Sequence, residues 1–159
     1  MSYKPSQSVN DLLSDNSVSP EKTLVTCVAD VAGNLAAKYF KVHSPTVDYY
    51  CWYKVSGSGA DPAVAAHTGI EIDIVTGNSA TLVATATAAA IEAVSGLSAS
   101  SVGAVVTVKN DVAGNALNAA DFNAGMSVVV DKQGHPASFG PASLVDSYKN
   151  EPDLIAALT

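Results

Sequence analysis

The run from Ile70 to Val94 constrains this chain more than any other stretch. Ile70-Glu71-Ile72-Asp73-Ile74-Val75 alternates branched apolar residues with acids, the period-2 pattern of a strand with one buried and one wet face. Thr76-Gly77-Asn78-Ser79 follows as a turn in which Asn78 or Ser79 can accept from the first free N–H groups of a helix. The spacing predicts that helix over Ala80 to Ser95, ended by Gly96. Its inner side is expected to carry Leu82, Val83, Ala86, Ala89, Ala90, Ile91, Ala93 and Val94. Most of these side chains are methyl-sized, so the helix can lie very close to the sheet that it covers. The segment is a packing device and offers no chemistry.

The other elements follow from the same kind of pattern. Thr23 to Asp30 has strand composition and leads to a turn at Gly33-Asn34. Ala36 to His43 and Val47 to Val55 are expected to pair as a hairpin around Ser44-Pro45-Thr46. Tyr39, Phe40, Tyr49, Tyr50, Trp52 and Tyr53 all lie in that hairpin. Alternation puts Tyr49, Cys51, Tyr53 and Val55 on one face and Tyr50 and Trp52 on the other, so both faces need a cover. The helix can supply one; a partner subunit or a second layer of the same chain can supply the other. Leu97 to Ser101 and Ala104 to Lys109 read as a hairpin turning near Val102-Gly103, residues 111–123 as a polar connection, and Met126 to Lys132 as a last strand. Asp-Val-Ala-Gly-Asn occurs at Asp30 to Asn34 and again at Asp111 to Asn115, which suggests similar turn chemistry and no duplication.

These elements predict an α+β fold: a mainly antiparallel β sandwich or barrel-like domain with one Ala-rich helix packed on the sheet, and extended N- and C-terminal arms. The expected divisions are an arm over 1–21, a single β-rich domain over 22–138, and an arm or short helix over 139–159. A chain of 159 residues buries about 70% of its unfolded surface, enough for one core without staples. The first arm is either a frayed tail or a segment ordered on a neighbouring subunit through Leu12 and Leu13. The second would dock through Leu154, Ile155 and Leu158.

Charge and chemistry narrow the function. Only 14% of residues are charged while the net charge is −7, so the surface must be largely small and neutral, as suits an interface. Without a Lys/Arg cluster the chain is not expected to grip nucleic acid. No signal-peptide-like or membrane-spanning run occurs, so synthesis in the host cytoplasm is expected. No catalytic residue, cofactor or metal site is expected. Ser56-Gly57-Ser58-Gly59-Ala60-Asp61-Pro62 lacks the spacing of a nucleotide loop. His43, His67 and His135 read as exposed loop residues without zinc spacing. Glu71 and Asp73 could join Asp48 around a hard cation if the strands align, against the simpler reading of a solvated acidic face. Cys27 and Cys51 read as two buried thiols, although a disulfide between neighbouring strands is conceivable.

The order Lys38-Tyr39-Phe40, Val47-Asp48-Tyr49-Tyr50-Cys51-Trp52-Tyr53-Lys54-Val55, Asp61-Pro62-Ala63, Thr68-Gly69-Ile70-Glu71-Ile72, the Ala-rich helix and Val105-Val106-Thr107-Val108-Lys109-Asn110 resembles a module of virion structural proteins of tailed bacteriophages. The resemblance covers about residues 36–125 and carries no catalytic residues. It implies a self-assembling, repeated homo-oligomeric subunit of the virion whose partners are its own copies and other virion proteins, with neither specific nucleic acid nor membrane. A tail component of the tube type is slightly favoured, because an acidic conduit does not hold DNA; a capsid decoration protein is the alternative. A third reading is a carbohydrate-binding or adhesin module of a tail fibre, with Tyr50 and Trp52 as a stacking platform.

Overall fold

A computed structural model describes residues 18–136 of the chain. The chain order is β1 (Lys22–Thr26), β2 (Tyr39–His43), β3 (Asp48–Val55), β4 (Thr68–Ile74), α1 (Ala80–Glu92), β5 (Leu97–Val102), β6 (Val105–Asn110), β7 (Ala120–Asp121) and β8 (Ser127–Lys132). Two four-stranded sheets result, one in the order β5-β6-β1-β8 and the other in the order β4-β3-β2-β7. Their inner faces share one core, which includes Val25, Phe40, Cys51, Tyr53, Ile72 and Val106. The expected α+β class is the observed one, and of the two expected architectures this is the sandwich.

Most strand pairs are antiparallel, but β3 and β4 run parallel, with Tyr49 opposite Thr68 and Val55 opposite Ile74. A parallel neighbour needs a crossover of about a dozen residues or more, and the segment 56–67 supplies it. The chain thus crosses over one face of the second sheet before β4 begins. Gly59 lies in that crossover at φ +106°, where a Cβ would meet Ala37 N at 2.8 Å. Glycine therefore allows both the turn and the close approach of the loop.

The helix also departs from expectation. Ser79 caps it by accepting from the Leu82 N–H, and the helix ends at Glu92 with Ala93 as the cap. Its buried residues are Val83, Ala84, Thr87, Ala88 and Ile91, whereas Leu82 is 54% exposed and Ala89 and Ala93 are exposed. The inner face is therefore turned from the expected one: Val83 and Ile91 are fully buried, and Thr87 is buried between them. Its hydroxyl lies 2.9 Å from Tyr53 Oη and donates to the Val83 carbonyl at 2.8 Å, so a residue type normally left in solvent is satisfied inside. With Ala84 and Ala88 beside it, α1 packs closely on β4, β5 and β6.

Two boundaries shift. The first strand stops at Thr26, where both its neighbours end, at Val105 and Ser127, and Asp30 holds the loop beyond it by accepting from Gly33 N, Leu35 N and Gly77 N. At the other end the fold starts before residue 22, since Ser19 bridges His135 through both backbone hydrogen bonds and Ser19 and Glu21 are buried.

Candidate functional site

The outer face of the second sheet gathers most of the chain's unusual side chains. Parity along the strands explains why. Phe40 and Val42 of β2, Tyr49, Cys51, Tyr53 and Val55 of β3, and Ile70, Ile72 and Ile74 of β4 all enter the shared core. The intervening residues must point the other way. Register then sets them in rows: Tyr39 beside Trp52 and Glu71, Lys41 beside Tyr50 and Gly69, and His43 beside Asp48. One step back along the parallel register from Thr68 places His67 next to Asp48.

The aromatic rows are closed. Tyr50 and Trp52 are only 3% and 5% exposed and form a second small core with Tyr39, against which Val64 of the crossover packs. Tyr39 meets Tyr50 edge to face at 5.9 Å and stacks on Phe122 at 4.6 Å. Tyr50 Oη donates to Asp61, whose carboxylate also accepts from Ala63 N at 2.8 Å. The expectation of Tyr50 and Trp52 as a stacking platform or interface pair is therefore corrected: the crossover segment covers them, because a twelve-residue parallel connection must pass over one sheet face. The same hydrogen bond bears on both ionisation constants. Burial and the Asp61 carboxylate push the Tyr50 phenol up, and the phenol holds Asp61 below the usual carboxylate range.

The histidine row is the chemically richer part. His43 and Asp48 are the closing pair of the β2–β3 hairpin, and His43 Nδ1 lies 2.7 Å from Asp48 Oδ1. The Ser44 hydroxyl shapes the turn by accepting from Val47 N at 3.0 Å. The His67 ring lies edge-on to the His43 ring, with centroids 5.8 Å apart, and its Nδ1 is 2.9 Å from the Ala65 carbonyl oxygen. His43 is 6% exposed, so the reading of all three histidines as exposed loop residues is corrected for it. A cleft of about 310 Å³, lined by Asp48, the hairpin turn and Asn115 to Leu117, opens beside the row.

Glu71 and Asp73 do not join Asp48. Glu71 pairs with Lys54 Nζ at 3.0 Å, and register sets it beside Trp52, away from the end of the sheet that carries Asp48. Cys27 and Cys51 are free, buried thiols, each pushed up by burial, so neither supplies a nucleophile near neutral pH. Leu12, Leu13, Leu154, Ile155 and Leu158 lie outside the described residues. No helix among the described residues is long and apolar enough to cross a membrane.

No family model, curated protein or solved structure matches this chain. The missed signal was cross-strand: His43 and Asp48 flank a four-residue turn, which makes them neighbours, and only the parallel register adds His67.

Proposed function

We propose that the protein is a bacteriophage virion structural protein, a repeated subunit that works by assembly and performs no catalysis. The observation that carries this reading is the corner formed by β1 and β8. Strand β8, with Val128, Val129 and Val130, is the last strand of its sheet and pairs only with β1 among the described residues. An apolar edge of this kind is a template for a strand from another chain. The bridge between Ser19 and His135 brings both ends of the described fold to this same corner, next to the open edge. Arms rooted there are well placed to reach a neighbouring copy and bury about 1,000 Å² or more.

A tail component of the tube type is slightly favoured by the net charge of −7, since a conduit of that sign repels DNA phosphates. The paired roots of the two terminal segments favour a second reading, a capsid decoration protein held by its arms. Electron microscopy of the purified full chain separates the two: rings or tubes support the tail reading, and trimers or monomers that bind empty capsids support decoration. A chain that stays monomeric at high concentration and ignores empty capsids overturns both.

A further inference from the structure

We infer that His43, Asp48 and His67 form a binding site for one divalent transition-metal ion of the zinc class. Each residue offers one ligand atom, and the three atoms lie within 4.8 Å of one another. The fold fixes them by register, because the last residue of β2, the first of β3 and the residue before β4 stand in a row across three adjacent strands. Two imidazoles and a carboxylate suit zinc or its neighbours better than calcium or magnesium, which take oxygen ligands alone.

The surroundings are those of a ligand set. His67 Nδ1 is engaged by the Ala65 carbonyl at 2.9 Å, which leaves Nε2 with its lone pair free; metal-ligating histidines are commonly oriented in this way. The two rings, 5.8 Å apart at their centroids, need to close by only a few tenths of an ångström to hold one tetrahedral ion at about 2.0–2.1 Å per Zn–N bond. The 2.7 Å contact between His43 Nδ1 and Asp48 Oδ1 already brings two donors together. Coordination through those atoms replaces that hydrogen bond, and the ring proton moves to Nε2. The Asp48 side chain is 37% exposed, so an ion can reach the site from solvent and keep a fourth position for water or a donor from another chain. Bound there, the ion would clip the crossover segment to the hairpin, closing a long loop. This inference stands apart from the assembly reading.

The test uses the full chain without a polyhistidine tag, treated with chelator and titrated with Zn²⁺ by calorimetry and with Co²⁺ by visible absorption. One ion should bind per chain, Co²⁺ should show the bands of a four-coordinate site, and Zn²⁺ should raise the melting temperature until chelator reverses it. His67→Ala, in the crossover segment and outside the main core, should keep the fold and lose saturable binding, while His135→Ala should leave binding unchanged. The absence of saturable binding, binding that survives both His67→Ala and Asp48→Asn, or binding lost in His135→Ala overturns the proposal.

Discussion

Asp30 illustrates how one side chain can organise two loops. Its carboxylate accepts from Gly33 N at 2.9 Å, Leu35 N at 3.1 Å and Gly77 N at 3.0 Å, tying the segment after β1 to the turn before α1. Burial would raise this carboxyl, but the three N–H groups outweigh it and hold it below the usual range. A lowered folded value means that the unfolded chain binds more protons in the window just below its own pKa of about 3.9. Stability from Asp30 is thus fully present above that pH and is lost as pH falls through the folded value. Asp30→Ala should cost about 3 kcal/mol in urea denaturation at neutral pH, because three backbone donors, that of Leu35 buried, lose a charged acceptor. Asp30→Asn should also be less stable, with a shallower loss between about pH 4 and the acid limit. The second Asp-Val-Ala-Gly-Asn copy shows why sequence alone misled here: Asp111 is exposed and Gly114 is packed on Pro45, so the same five residues take a different role when the aspartate faces solvent. Gly69 gives a sharper residue-scale test. A Cβ there would fall 2.6 Å from Tyr50 Oη and 2.8 Å from Cζ. Gly69→Ala should therefore cost about 1–3 kcal/mol by overpacking, and much less in a Tyr50→Leu background, where the ring that the added Cβ would meet is gone. A double-mutant cycle by thermal unfolding reads the difference, and additive costs would contradict the packing described.

At the scale of elements, existence and type were legible while orientation was not. The strand at Ile70, the helix after Ser79 and the hairpin at Gly103 all occur where alternation, capping and turn chemistry put them. Gly103 has φ +58° at the first position of a two-residue turn, a place that favours glycine. What periodicity could not supply was the partner of each face. An Ala- and Thr-rich helix offers little contrast between its sides, so the buried side holds Val83 and Ile91 together with a hydroxyl pair, Thr87 with Tyr53, that spacing does not reveal. Leu82→Ala should then change stability by no more than about 0.5 kcal/mol, whereas Ile91→Ala should cost about 2–5 kcal/mol. Equal losses would restore the face expected from spacing. Parallel pairing of β3 and β4 was equally hidden, because it depends on a crossover whose glycines read locally as a plain loop. With it went the location of Tyr50 and Trp52, and the neighbourhood of His67.

For the whole molecule, the decisive relation is between the closed and the open parts of the surface. One outer sheet face is covered by the chain's own crossover, and α1 fills the side where β4 and β5 end their sheets. The β8 edge is left beside the roots of both terminal segments. If the subunit assembles through that corner, charge introduced at the anchors should block assembly while sparing the domain. Leu12→Asp combined with Leu13→Asp should keep the circular dichroism spectrum of the parent and shift sedimentation from multimer to monomer, since burying two unpaired carboxylates in an apolar contact opposes association. A second variant, Val129→Lys, acts on the strand itself. Val129 is 54% exposed, so a lysine there is tolerated by the fold and blunts edge pairing. Loss of multimers in the first variant alone would assign assembly to the arm, loss in the second alone would assign it to the edge, and multimers that persist in both would remove this corner from the interface.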